Sequence, residues 1–547
     1  MLTIERLLSN GYLPRELPPP FNSISLGRFV AGDLKGFRKL AEKGANVAKA
    51  TVYHLARAGD QHRKLSLVNP VHYFRLGDAV TREWSKLETH AYRSPLSMSL
   101  PVTTGKERAL ERKLDLGKLP EQRAIIRSSA RHILSADIQR FYPSIYTHSI
   151  PWALHTKAAA KKNRSTTQIG NLLDTLIRNA QDQQTLGIPI GPDTSLLIAE
   201  ILLAPVDERL VKEFGVFGFR YVDDYELAFE NLAEANAVRS KLHEVLGEYE
   251  LTLNVTKTEI STLPSEIEDT WTSELRVFPF RPDSHQQKAD LLHYFNRVFH
   301  LAKEFPTVGV VKYAVARFKT VGIAKENWGL FENLLLQCAT VETGTLRFVL
   351  SHFLAYQPTA WLNEKAIQLC LDRIIKHHAA LGNTSEVAWA LWGAILLKLS
   401  LSDEAAQAVT KMNDSVVYLL ALDAQQNGMI SKKAQFGHAS SMAVQDQLYG
   451  EHWLFAYEAA VKGWALPNSA LQYLTKDAVF SALQKNKVSF YNETKAEELR
   501  KSVIPTDKFE DDEFDAMYFD EGEGEYGYVL VDDDEDEEEE KKPTKKK

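Results

Sequence analysis

Tyr221-Val222-Asp223-Asp224 lies between two apolar stretches, Val216-Phe217-Gly218-Phe219 and Leu227-Ala228-Phe229. Apolar runs on either side of a short polar break read as two strands joined by a tight turn. Adjacent carboxylates in such a turn repel each other, and burying them uncompensated is costly. A divalent cation removes that cost, so the turn reads as a metal site, against the plainer alternative of a solvated surface turn.

The segments around the turn narrow the choice. Upstream, Asp137 ends the apolar run Ile133-Leu134-Ser135-Ala136 and opens Asp137-Ile138-Gln139-Arg140-Phe141-Tyr142-Pro143-Ser144-Ile145, a strand with an acidic last residue followed by an aromatic turn. Between the two acidic sites lies a Gly/Pro-rich loop, Gly187-Ile188-Pro189-Ile190-Gly191-Pro192-Asp193-Thr194-Ser195. It leads into the apolar helix Leu196–Leu203. An amphipathic helix is predicted over about 231 to 247. A strand-like segment with a lysine, Leu251-Thr252-Leu253-Asn254-Val255-Thr256-Lys257-Thr258, follows it.

The order strand-Asp, loop and helix, hairpin with Asp-Asp, helix, strand with Lys resembles the palm of the reverse transcriptases over roughly 85 to 260. The resemblance implies two-metal nucleotidyl transfer, with Mg²⁺ as the expected ion. Asp137, Asp223 and Asp224 would be its ligands and catalytic carboxylates, joined by the backbone carbonyl of Ile138. Tyr142, five residues after Asp137, matches the aromatic ring beneath the sugar of an incoming nucleotide and implies a preference for dNTPs; simple packing against the palm is the alternative. Phe141, Tyr221, Gly191 and Arg127 are carried over as substrate-binding residues, with Tyr221 against the primer terminus. Lys257 matches the lysine that steadies or protonates the leaving pyrophosphate, though an exposed strand lysine needs no such role. The loop departs from the common Pro-Gln-Gly pattern, since Ile190 stands between Pro189 and Gly191, which puts ordinary templated fidelity in doubt.

Gly-Tyr-x-Pro-x-x-Leu-Pro-Pro at 11–19, the motifs above and Ser385-Glu386-Val387-Ala388-Trp389 together resemble the bacterial abortive-infection and defence-associated reverse transcriptases. That kinship implies DNA synthesis during phage infection, in some members without a template or primed from protein, often as trimers or hexamers. The partners implied are dNTPs, a DNA product, an RNA template in the templated case, and further copies of the chain. A retron or other mobile-element enzyme, and a silent scaffold binding a phage or host protein, are the competing readings.

At 547 residues the chain has room for two to four domains. The predicted fold class is α+β: an N-terminal extension over 1–84, fingers and palm over 85–283, an α-helical, HEAT-like repeat region over 284–508, and a disordered acidic tail over 509–547. Three successive prolines, Pro18-Pro19-Pro20, exclude helix or central strand from the segment 11–21, and its Tyr12, Leu17 and Phe21 favour docking over free motion. As a set, the basic side chains at Arg93, Lys106, Arg108, Arg112, Lys113, Arg123, Arg127 and Arg131 would face triphosphate and template in a polymerase, whereas each taken singly reads as a solvated surface charge. Helical spacing beyond residue 284 predicts about eight helices, with Glu386–Leu399 buried among its neighbours. Cys338 and Cys370 fall in apolar stretches and read as buried thiols of a cytosolic protein, and no stretch reads as a membrane span.

The net charge of −7 conceals a basic body. From Phe509 to Lys547 there are 18 acids and 5 lysines, which leaves 54 acids against 60 bases, so a nucleic-acid partner is not excluded. The tail, with nine consecutive acids at 532–540, reads as a solubilising segment or as a nucleic-acid mimic for a basic cleft. Its Tyr518, Tyr526 and Tyr528 are among the hydroxyls that protein priming would need.

Overall fold

The computed structural model describes residues 1–103, 108–357, 361–464 and 470–502. The expected acidic tail, with its tyrosines, and Lys106 lie outside the described residues. Strands β1 (Thr51–Arg57) and β2 (Gln61–Leu67) form an antiparallel hairpin, and β3 (Pro101–Val102) pairs with β4 (Glu111–Arg112). Strands β5 (His132–Asp137), β6 (Phe217–Tyr221), β7 (Asp224–Phe229) and β8 (Glu259–Thr262) make an antiparallel sheet in the order β6-β7-β5-β8.

Successive residues of a strand face opposite sides, and the neighbours Tyr225 and Glu226 report what covers each face of β7. Tyr225 bonds to Asp207 of the helix Asp193–Phe214, whereas Glu226 meets Arg123 of the helix Leu119–Arg127. The amphipathic helix spans Leu232–Glu248, capped by the Asn231 side chain, and packs on β5 and β7. Gly218, at φ +152°, lies so close to β7 that a Cβ would come within 2.2 Å of the Glu226 carbonyl oxygen.

The segment Leu251–Thr258 is not a strand. Only Leu253 bridges to Ile138, after which the chain turns through Val255–Lys257 before β8 begins. The Asn254 side chain accepts from the Thr256 amide (3.2 Å) and hydroxyl (2.8 Å). This Asx-type turn wins over the strand propensity of Val255 and Thr256.

Beyond Ser284 the described residues hold thirteen α-helices, not about eight, and seven of these have ten residues or more. The short ones span about two turns, too few for a 3.6-residue period to register. Every residue of the helix Thr384–Leu397 is buried. Cys338 and Cys370 are buried and unbridged. Among the described residues no helix is long and apolar enough to cross a membrane.

One continuous apolar core runs from Leu2 to Leu499. The proline-rich segment is docked within it as a strap. Tyr12 stacks on Tyr73 at 4.5 Å between ring centroids, and Phe21 packs edge-on to Tyr491. The strap also joins both halves by backbone bonds: Asp193 N–H donates to Gly11 O (2.8 Å), and Trp389 Nε1 donates to Glu16 O (3.1 Å). The Ser385–Trp389 motif thereby has a structural account. Ser385 Oγ accepts from the Ala56 amide of β1 (2.8 Å), and Glu386 Oε1 lies 2.7 Å from His62 Nε2 of β2.

Candidate active site on the four-stranded sheet

The register of the sheet brings the acidic residues together. Asp137, last in β5, lies directly opposite Asp224, first in β7. Tyr221 faces Asp224 across the β6–β7 hairpin, which leaves Val222 and Asp223 as the two turn residues. Ile138 N–H donates to the Asp223 carbonyl (3.3 Å) and Gln139 N–H to the Thr252 carbonyl (2.9 Å), so the peptide after Asp137 is tied to the turn on one side and to the 252 segment on the other. Asn254 N–H donates to the Asp137 carbonyl (2.8 Å), and the ensuing turn places Lys257 Nζ 3.7 Å from Asp137 Oδ2. Lys257 therefore reaches the acidic cluster from a turn, not from a strand.

Loss of hydration in the cleft, then repulsion from Asp223 and Asp137, holds the Asp224 carboxyl well above its ordinary range, with Lys257 opposing. Asp224 keeps solvent contact along its edge, where the neighbouring carboxylates still repel its charge. Oxygen donors that destabilise one another suit a hard cation such as Mg²⁺. Among the described residues no three His, Cys, Asp or Glu side chains close into a ready cage. An open cluster fits Mg²⁺, which takes one or two carboxylates and completes its shell with water and substrate phosphates.

Residues 87–294 match the family model described as reverse transcriptase (RNA-dependent DNA polymerase). The chain carries a reverse transcriptase domain. It is thereby an RNA-directed DNA polymerase, a nucleotidyltransferase acting on nucleic acid. No curated protein matches the chain. Solved structures similar to it include apo telomerase from Candida tropicalis, at 10% identity and TM-score 0.31, covering 61% of this chain and 71% of that one. Telomerase from Candida albicans with a fragment of telomeric RNA gives 10% identity and 0.29, covering 64% and 68%.

Within the reverse transcriptase domain the aromatic candidates are buried. Phe141 and Tyr142 pack 5.3 Å apart in a short helix entered through Arg140 at φ +48°, and the Tyr142 carbonyl accepts from Ile188 N–H (3.0 Å). Gly191, at φ +119°, lies against the strap, and a Cβ there would meet Pro14 Cγ at 2.5 Å. Gly191 and Tyr221 line a cavity of about 250 Å³ together with Arg15, Arg63, Arg112 and Lys113. The Arg112 guanidinium sits 5.7 Å from the centre of the Tyr221 ring.

Several basic side chains expected to face substrate instead hold the domain together. Arg127 donates to the Glu266 carbonyl (2.6 Å) and pairs with Glu226 (3.5 Å), so it clamps the 265–267 loop to β7 and is not presented to a nucleotide. Arg123 shares Glu226 at 2.5 Å. Arg108 is buried against Asp193 (Nε, 2.8 Å) and the carbonyls of Leu13 and Gly191. Arg93 pairs with Glu208, and Arg131 with Glu230 (2.9 Å). Of the expected set, Arg108, Arg112 and Lys113 line the cavity, Arg108 from its pairing with Asp193.

Sequence reasoning missed what lies behind the hairpin. Arg220 of β6 and Glu200 and Asp207 of the helix Asp193–Phe214 are all fully buried. Arg220 Nη2 reaches Glu200 Oε2 (2.8 Å) and Asp207 Oδ2 (2.7 Å), and Nε reaches Asp207 Oδ2 (2.9 Å). Burial alone would raise the Glu200 carboxyl, but Arg220 and the hydroxyls of Ser99 and Ser97 hold it below its ordinary value. The available signal was Glu200 itself, a lone acid in an apolar helix that demands a buried cation.

Proposed function

We propose that this protein is a DNA polymerase of the reverse transcriptase type that builds DNA from dNTPs in antiviral defence. The observation that carries the polymerase part is the cross-strand pairing of Asp137 with Asp224 beside the Asp223 turn, inside the matched reverse transcriptase domain. The defence role, with synthesis that needs no template and starts from a protein hydroxyl, is supported by the motif resemblance and by Ile190 in the loop before the long helix.

In the reaction a 3′-oxygen bonds to the α-phosphorus of a dNTP, the bond to the β-phosphate oxygen breaks, and pyrophosphate leaves. Asp137, Asp223 and Asp224, with the Ile138 carbonyl, would hold two Mg²⁺ ions. When bound, these ions lower the pKa of the attacking hydroxyl and neutralise charge on the departing oxygens. Lys257, beside Asp137, places a proton and a positive charge where pyrophosphate departs. Tyr142 sets the floor under the sugar, and its ring excludes a 2′-hydroxyl. Tyr221 and Gly191 border the cavity where the substrate strand would lie.

The deciding experiment incubates purified protein with Mg²⁺ and each labelled dNTP or NTP, with and without an RNA template, beside an Asp223→Ala/Asp224→Ala variant. Products are resolved before and after protease. Template-free, dNTP-only label that shifts on protease treatment is the expected result. Label that requires a template and an annealed primer would assign an ordinary reverse transcriptase, as in a retron. Phage protection by the double variant, with no label from either protein, would replace catalysis with a scaffold role.

A further inference from the structure

The turn that carries Asp223 is built on an unfavourable backbone. Val222 has φ +55°, a region that β-branched residues avoid. Such a conformation persists only when its surroundings over-determine it. Both polar groups of the Val222 backbone are held by buried side chains. Its N–H donates to Ser99 Oγ at 2.8 Å, and its carbonyl accepts from Arg220 Nη1 at 2.6 Å.

The two side chains are themselves fixed by one carboxylate. Ser99 donates its proton to Glu200 Oε1 (2.7 Å), and Arg220 Nη1 also reaches that oxygen (3.1 Å). With its contacts to Glu200 Oε2 and Asp207, all five guanidinium protons of Arg220 have an acceptor. Backbone bonds complete the mount: Arg220 N–H donates to Leu96 O and Met98 N–H to Arg220 O, each at 2.8 Å, so the segment bearing Ser99 runs along the free edge of β6.

We infer that Ser99 and Arg220, seated on Glu200, form a clamp on the Val222 peptide that sets the Asp223-Asp224 turn against Asp137, and that they are positioning residues for metal binding and nucleotidyl transfer. The inference rests on the polymerase reading of that turn. Neither side chain touches substrate. Their effect is to keep a strained peptide from relaxing, which would swing the Asp223 carboxylate away from its neighbours.

Ser99→Ala and Tyr225→Phe provide the test. Each deletes one hydroxyl from the same buried network, since Tyr225 OH donates to Asp207 Oδ1 at 2.8 Å, but only Ser99 holds Val222. Three quantities are measured on the full chain: deuterium exchange of peptides spanning 217–229, Mn²⁺ affinity by calorimetry, and turnover. Ser99→Ala is expected to speed exchange in the hairpin, weaken Mn²⁺ binding, and lower kcat by about tenfold to a hundredfold with the dNTP KM little changed. Tyr225→Phe should stay within about twofold of the parent protein in Mn²⁺ affinity and kcat.

Unchanged exchange in Ser99→Ala would overturn the clamp. Faster exchange with unaltered Mn²⁺ affinity, or equal losses in both variants, would overturn its positioning role. An inactive parent protein whose Mn²⁺ binding is indifferent to Asp223→Ala would instead sink the polymerase reading. Exchange in Ser99→Ala still decides the clamp in that case.

Discussion

Glu200 and Asp207 beneath the sheet and Glu458 and Asp423 in the helical half are all buried acids, and the two pairs are treated in opposite ways. Behind the β6–β7 hairpin, Glu200 and Asp207 meet the guanidinium of Arg220, and Glu200 is held ionised below its ordinary pKa. In the helical half, the buried Glu458 is met by the Phe490 amide at 2.5 Å, the Ser489 hydroxyl at 3.0 Å, and Lys462 only at 3.7 Å. Burial pushes its carboxyl up to about 7 despite Lys462. Asp423, bonded to Tyr491 OH at 2.6 Å, is likewise pushed up to about 6, chiefly by burial. At Glu200 and Asp207 full charge pairing accompanies a backbone held in one unfavourable shape. Dipoles suffice where the task is only to fill a core.

The largest expected effect of breaking this contrast is on activity. Asp223→Ala/Asp224→Ala should abolish nucleotidyl transfer while leaving Tm unchanged or slightly higher, because the carboxylates that repel one another oppose folding. Loss of activity with a lower Tm would mean that the turn is structural. Next in size, Arg220→Met leaves Glu200 and Asp207 buried without their cation and should cost about 3–5 kcal/mol in urea unfolding. A cost near zero would show that the triad is not needed to compensate its own acids.

The third effect concerns pH. The folded Glu458 pKa, about 7, lies above the ordinary 4.5, so its proton stabilises the fold fully below pH 4.5. That stability is lost as pH rises through 7. Glu458→Gln should flatten the fall of Tm between pH 5 and 8, with a gain of about 1–3 kcal/mol at the alkaline end. An unchanged slope would move the titration to Asp423 or elsewhere. Smallest, Trp389→Phe removes the bond to Glu16 O and should destabilise by about 1 kcal/mol without altering activity.

What could be read from the sequence follows the same division. The Asp223-Asp224 turn was legible because local apolar flanks and adjacent charges state their own problem, and the helix Thr384–Leu397 because its apolar residues cover every face. The partner of Glu200 was not, since Arg220 lies twenty residues away and no period links a helix face to a strand across a sheet. Arg127 was misjudged for a related reason: a basic side chain near a substrate cleft looks the same in sequence whether it meets phosphate or Glu226. Lys257 was placed in a strand because the Asn254 side chain, not the propensity of Val255, decides that turn.

The strap has a consequence in time. The strap runs into the helix Ile24–Gly32, where Ser25 Oγ donates to the Ser489 carbonyl and Ser489 N–H donates back to Ser25 Oγ, a contact that closes 464 residues of chain. During synthesis at ordinary ribosomal rates the strap waits on the order of half a minute or more for that partner to be made. Until then Tyr12, Leu17 and Phe21 lack part of their cover, and the loop beneath Pro14 lacks a fully anchored lid. The cover over the strap is therefore completed only once the segment around Ser489 has been made.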